Sequence, residues 1–453
     1  MDEKTLLERA CDALRAGGAE GDAWFEHRRT LHILVREGKL EDLQRAEVRG
    51  LGIRAMSGGR LGFVHTSECD GDGVVRAAQK ACELAKSASV REDLALAERS
   101  GTGDGEDEGV ALAILDPTIE RHTIAEKQEW ARSVEAVARG VDPKIRRTEG
   151  ATYDEALVGI WLANTNGLYR HFNKSNLQVG AQVIAEDKGE LQIGEIGHET
   201  SRWNALPDPG DFGRRAGERA MRLLGGRSVP TGSYPVVFSP EAGFAVLVYL
   251  SAALNGSALG AGRSWLAGRT GEIMLGSPLV TVHDDGHLPG GPASVPFDGE
   301  GTDTRDTLLI DAGKVRGNVR DLAAAKRLGA PSTGNSRRGG YEQLPAIGSG
   351  NVYLVPGSVK ADAVLGEIEK GFWIWGLTGW WIGLDPSNPG FSSAAFGIWI
   401  ENGKPAQPVA RVTVAGSLTD ILSGIDAIAD DFVWDHPTKT PTYRVKSMSV
   451  SGV

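Results

Sequence analysis

Glycine supplies 61 of the 453 residues. That abundance constrains the fold more than any other feature. Gly accepts backbone angles closed to other residues and lets chains approach closely, so this content implies tight turns, glycine-kinked strands and prominent β structure. The length is about three times the usual ~150 residues per domain, which allows two or three domains and a large core. Hydrophobic residues make up 41% and charged residues 24%, an ordinary globular balance that argues against overall disorder. Lys and Arg number 49 against 60 Asp and Glu, a net charge of −11. Such a chain lacks the basic footprint of a nucleic-acid or anionic-membrane binder.

Cys11, Cys69 and Cys82 cannot frame a disulfide scaffold for this length, so a reducing, cytoplasmic compartment is expected. The opening residues form an acidic amphipathic segment without a signal core or an Arg-rich transit pattern. The most apolar run, 244–254, is too short for a bilayer, which needs about 20 residues.

The pattern predicts an α+β protein. Leu6, Leu7, Ala10 and Leu14 mark a helix at 2–16. Strand-like runs follow at 23–26, 31–36, 48–56 and 61–65, the last two joined by a hairpin at Ser57-Gly58-Gly59-Arg60. Val74, Val75, Ala78, Cys82 and Ala85 mark a second helix. Helix, four strands, helix predicts an antiparallel sheet covered by helices. Residues 99–109 read as an acidic surface loop. A helix at 118–139, strands near 156–163 and 177–185, and a helix through Phe212, Ala216, Ala220 and Leu223 complete an N-terminal domain over 1–226.

The second domain, 227–453, begins with a strand at 234–238. Ser239-Pro240-Glu241 then starts a helix, with Ser as N-cap and Pro at the first position. This central helix runs to Asn255 with Gly256 as its stop, and it is apolar nearly all round, hence buried. Short strands fill 279–355, and a helix lies near 361–370. Aromatic strands are expected at 372–384 and 396–401, with another strand at 409–414. Ser417 and Asp420 cap a helix over 418–430, and a strand near 443–450 ends the half. The expected architecture is a mixed or antiparallel β-rich domain around the central helix.

Chemical motifs are scarce. Gly262 to Thr270 fails as a P-loop: the glycine spacing is wrong, Arg269 stands for the lysine, and a helix precedes it. Residues 334–338 lack the closing glycine of a hydrolase elbow. His283 and His287, with Asp284 and Asp285, could hold a divalent cation, but a turn splays adjacent side chains, so a solvent-facing Asp-Gly turn is the plainer reading. Asp298-Gly299-Glu300-Gly301 reads first as an acidic turn. Phe372, Trp373, Trp375, Trp380, Trp381, Phe391, Phe396 and Trp399 fall within 28 residues. They are either core or the lining of an apolar cleft.

Taken in order, several segments resemble the TldD/PmbA family, also labelled modulators of DNA gyrase. They are Gly50-Leu51-Gly52-Ile53-Arg54, Gly58 to Phe63, Val236 to Ala242, Gly271-Glu272-Ile273, Asp284-Asp285, Pro296 to Gly301, Ser332 to Asn335, Val355-Pro356-Gly357, Ile400 to Gly403 and Ala415 to Leu418. The resemblance covers essentially the whole chain and implies a two-domain subunit of a cytosolic peptidase. TldD-like members carry H-E-x-x-x-H on the central helix and a later Cys, together binding zinc. Here that stretch reads Val248-Tyr249-Leu250-Ser251-Ala252-Ala253, and no cysteine follows Cys82. The resemblance therefore points to the PmbA branch, also called TldE. It implies a non-catalytic subunit with no cofactor of its own, paired with a TldD-like partner that supplies the zinc, and acting on peptides. Expected cleft residues are Asn255, Arg263, Ser264, Thr333, Asn335, Trp380 and Trp381, with no metal ligand (His283 and His287 being the weak alternative). A homodimer that has repurposed the cleft, as an autonomous enzyme or a peptide-binding protein, is the other reading.

Overall fold

The structure is a computed structural model describing residues 1–98, 107–269 and 273–452. The acidic loop read at 99–109 lies outside the described residues as far as 106, as do Gly271 and Glu272. Helix α1 (Glu3–Ala16) is capped by Asp2, whose carboxylate accepts from Thr5 N, and buries Leu6, Leu7, Ala10, Cys11 and Leu14. Strands β1 (Glu20–Arg36), β2 (Lys39–Ser57) and β3 (Arg60–Thr66) precede α2 (Gly71–Ser87). The β2–β3 turn places Gly58 and Gly59 at φ 57° and 71°, the doubly positive geometry of a tight two-residue hairpin. The runs at 23–26 and 31–36 are parts of one strand, so three strands rather than four separate the helices. His27-Arg28-Arg29-Thr30 breaks the apolar pattern without breaking the ladder, because β1 pairs on both sides there.

After a short helix α3 (Glu108–Ala111), α4 (Ile124–Gly140) begins at a capping box made by Thr123 and Glu126. Strands β4 (Ile145–Asn164), β5 (Tyr169–Asp187) and β6 (Glu190–Thr200) follow, then α5 (Pro209–Leu223). The six strands form one antiparallel sheet, ordered β3-β2-β1-β4-β5-β6. Alternation along β1 sends Phe25, Leu31, Ile33 and Val35 into apolar clusters with residues of the helices. Trp24 packs instead with Phe297 and Tyr341 of the C-terminal half. β6 escapes sequence reading because its pattern is interrupted by Gly194 and Gly197. At Gly194 a Cβ would stand 2.1 Å from the Ala216 carbonyl oxygen, so α5 rests directly on the strand.

The C-terminal half opens with β7 (Gly232–Phe238), α6 (Pro240–Ala253) and α7 (Gly256–Gly260). Next come β8 (Val282–Asp285), β9 (Asp306–Asp311), β10 (Lys314–Val315), α8 (Leu322–Leu328), β11 (Ser336–Arg337), β12 (Ala346–Ile347) and β13 (Asn351–Leu354). Helix α9 (Ala361–Gly366) leads to β14 (Lys370–Thr378), β15 (Gly390–Glu401), β16 (Lys404–Ser417), α10 (Leu418–Ser423), β17 (Ile425–Ile428), β18 (Thr438–Lys439) and β19 (Tyr443–Gly452). The main sheet has the order β16-β15-β14-β7-β19-β17, and an added β16–β19 pairing closes it on itself. Parallel β7–β14 pairing makes the sheet mixed. A second sheet runs β10-β9-β8-β13-β18. Residues of α6 and of both sheets share one core.

Several boundaries differ from the sequence reading: the helix expected at 118–139 starts at Ile124, the one near 361–370 ends at Gly366, and the strands expected at 156–163, 396–401 and 409–414 run longer. Pro240 opens α6 as expected, but the helix ends at Ala253, and Gly256 begins α7 rather than stopping α6. The aromatic strand read to 384 ends at Thr378, where Gly379 at φ 72° turns the chain into a 3-10 turn, Trp380–Gly383. The helix read over 418–430 stops at Ser423. Ser417 caps it as expected, but Ile425 to Ile428 then pair with β19.

Candidate functional site

Helix α6 is buried except along one stripe. Phe244, Val248, Ser251 and Ala252 are half-buried and repeat at helical spacing, and Asn255 continues the line. The other faces carry Ala242, Ala245, Val246, Leu247, Tyr249, Leu250 and Ala253 into the core. Within the stretch where the zinc motif would fall, Val248 lies on the stripe while Tyr249 and Ala253 are buried. The Tyr249 hydroxyl donates to the Trp380 carbonyl at 2.7 Å. Burial pushes that phenol's pKa up, keeping it a neutral donor.

This bond ties the Trp380–Gly383 turn to α6. Phe244 meets Trp380 edge-on with ring centres 5.4 Å apart, and its other neighbour is His436, also at 5.4 Å. Trp380 and Trp381 are perpendicular at 5.9 Å. Trp381 is 58% exposed and Ile382 83%. A second aromatic group lies against the β8–β13 pair: Tyr353 stacks on His283 and meets Phe432 and Trp434 edge-on. The segment 432–436 belongs to both groups, so an aromatic face runs beside α6. Phe244, Tyr249, Tyr353, Phe432, Trp434 and His436 were missed in the sequence. For Phe432, Trp434 and His436 the signal is the alternation in Phe432-Val433-Trp434-Asp435-His436, just past the end of the helix expected over 418–430; Phe244, Tyr249 and Tyr353 have none.

The 28-residue aromatic cluster divides three ways, apart from Phe396, whose ring lies over Gly376 of the neighbouring strand. Phe372, Phe391 and Trp399 are core. Trp373 and Trp375 share the opposite face of β14, perpendicular at 5.2 Å, and Arg222 of α5 lies over Trp375. Only the turn carrying Trp380 and Trp381 reaches the α6 stripe.

The polar candidates fall into two places. Asn255 caps α7, its side-chain Oδ1 accepting from Ser257 N and Ala258 N. Ser264 is buried and donates to the Ala253 carbonyl at 2.6 Å, closing the end of α6, while Arg263 beside it is exposed. Thr333 and Asn335 sit deeper. Thr333 donates to Asn335 Oδ1 at 2.6 Å, and Asn335 Nδ2 donates to Asp284 Oδ1 at 3.1 Å. Their polar atoms are committed to a buried network in which burial pushes the Asp284 carboxyl above its usual range. His283 pairs with Asp306 at 2.8 Å, whereas His287 Nδ1 lies 3.2 Å from Thr304 Oγ1. The two imidazoles thus face different partners. Among the described residues, no group of three or more His, Cys, Asp or Glu side chains could hold a metal ion.

The sequence matches the PmbA/TldA metallopeptidase domain 1 over residues 22–85, the central domain over 117–224 and the C-terminal domain over 231–452. The chain belongs to the PmbA/TldD metallopeptidase family. It is 27% identical to a metalloprotease of Methanothermobacter thermautotrophicus, over 89% of this chain and 86% of that one. It is 24% identical to metalloprotease PmbA of Escherichia coli O157:H7, over 99% and 97%. A TldD homologue of Haemophilus influenzae is 25% identical, over 90% and 85%. Among solved structures, a candidate modulator of DNA gyrase from Bacteroides thetaiotaomicron superposes with a TM-score of 0.89 over all of both chains at 24% identity. TldE from Thermococcus kodakarensis superposes at 0.83, covering 97% of this chain and 99% of that one, at 21% identity.

Proposed function

We propose that this chain is a TldE-like, non-catalytic subunit of a cytoplasmic zinc metallopeptidase complex acting on peptides. A TldD-like partner would supply the zinc, and this chain would shape part of the substrate cleft. The observation that carries the reading is the Val248–Ala253 stretch of α6: it offers Val248, Ser251 and Ala252 along its stripe and a turn-anchoring phenol where a zinc peptidase needs imidazoles and a carboxylate. Without a metal to polarise a carbonyl and acidify water, these residues have no means of hydrolysing an amide. In this reading 1–226 and 227–453 act as two units, and Trp380, Trp381, Asn255, Arg263 and Ser264 contribute cleft wall. Thr333 and Asn335 support it from below. The test is peptide hydrolysis and zinc content of the purified chain, alone and co-expressed with a TldD-like subunit carrying H-E-x-x-x-H. Activity and stoichiometric zinc are expected only in the co-expressed sample. Chelator-insensitive hydrolysis by the chain alone would favour an autonomous homodimer, and tightly held zinc would promote His283 and His287 to ligands.

A further inference from the structure

We propose that the Asp298-Gly299-Glu300 turn is a proton-holding clasp that couples the contact between the N-terminal sheet and the C-terminal half to pH. The peptide-cleft reading leaves this acidic motif unused, yet the two halves meet at it. Glu300 is buried between them. Its Oε1 accepts from Arg54 Nη1 of β2 at 3.2 Å, and its Oε2 accepts from Leu322 N, the first residue of α8, at 3.0 Å. Arg54 is held in turn by Asp22 of β1, with Nε 3.1 and 3.0 Å from the two carboxylate oxygens. Asp22 also accepts from Arg338 Nη2 at 3.1 Å, and Arg338 Nε donates to the Gly299 carbonyl at 2.8 Å. One arginine thus comes from each half, and Asp22 joins them.

The remaining charges around Glu300 complete the electrostatics. Asp298 is buried on the same turn and accepts from the backbone N–H groups of Glu300, Thr302 and Ser336. Asp321 caps α8 and acts on Glu300 from that side. Arg337 of β11 acts on Asp298. Arg170 of β5 donates to the Gly301 carbonyl and pairs with Asp303 and Glu108.

Two neighbouring carboxylates shut away from water cannot both ionise cheaply. Arg54 and the Leu322 amide favour charged Glu300, but burial opposes it more strongly and Asp298 adds to the opposition. The Glu300 carboxyl is pushed from 4.5 up to about 7. Burial likewise pushes Asp298 up. Glu300 therefore holds its proton up to near neutrality. Opening the contact to water returns Glu300 to its ordinary range. The closed form binds a proton that the open form releases, so closure is fully favoured below 4.5 and that advantage is lost as pH rises through about 7. The open-to-closed ratio should rise on the order of 10²-fold across the window.

The test uses the full chain, wild type against Glu300→Gln, between about pH 4.5 and about pH 8. The readout is backbone amide exchange around 299–301 and β2, corrected for the intrinsic pH dependence of exchange. Wild-type opening should increase on the order of 10²-fold more with rising pH than that of the Gln variant over the same range. His198 and Lys174, which burial pushes down, the latter to about 8, and the burial-raised Asp298 are common to both proteins and drop out of the difference. Equal slopes in the two proteins, or wild-type opening that falls as pH rises, would overturn the proposal. Should Glu300→Gln not fold, Asp298→Asn removes the neighbouring charge and should move the wild-type midpoint to lower pH. An unmoved midpoint overturns the proposal.

Discussion

The N-terminal sheet and the closed sheet of the C-terminal half differ in where their strands find neighbours. In the first, β3-β2, β2-β1, β4-β5 and β5-β6 are all chain-adjacent hairpins, and only β1-β4 crosses over. In the second, β7 pairs with β14 and β19, more than a hundred residues on, and α6 lies between β7 and everything it meets. Hairpins need little loop closure, whereas long-range pairs form only after a larger entropic cost. The lesson is a division of labour. The N-terminal sheet is held by local ladders and helix faces, while the C-terminal half depends on a shared core assembled from distant segments.

The largest test of that contrast is Phe372→Ala. Phe372 is fully buried on β14, in the core shared with α6. Its truncation should cost about 3–5 kcal/mol by denaturant titration. A loss below about 1 kcal/mol would mean the core does not depend on that strand. A smaller effect is expected from Gly194→Val, because a side chain there drives α5 away from β6. Overpacking of this kind typically costs about 1–3 kcal/mol, and thermal melts should show it. A neutral outcome would show that α5 can shift without loss. The smallest effect should come from Trp381→Ala. With its ring mostly in solvent, truncation should leave stability within about 0.5 kcal/mol, while weakening peptide capture by the assembled complex. Destabilisation comparable to that of Phe372→Ala would return the turn to the core.

Much of the local structure was legible. The 57–60 hairpin, the Ser417 cap and the Pro240 helix start follow from short-range chemistry that needs no distant partner. The long strands were harder, because a ladder bonded on both edges tolerates polar stretches such as His27 to Thr30. The candidate site was legible only in part. Trp380 and Trp381 stood out by composition, but their placement off the strand depends on Gly379. Phe244, Tyr249 and Tyr353 carry no local mark of proximity.

The sequence alone determined that this chain has a β-rich, helix-covered architecture. It also determined that the central helix lacks imidazoles at 248 and 253, since residue identity at a given spacing is a covalent fact. The tertiary structure decided which aromatics share a face, which glycine bears a helix, and that Asp298 and Glu300 lie buried beside Arg54 and Asp22. Those outcomes rest on segments hundreds of residues apart meeting where water is excluded. Burial of that kind sets both packing and ionisation, and no local pattern encodes it.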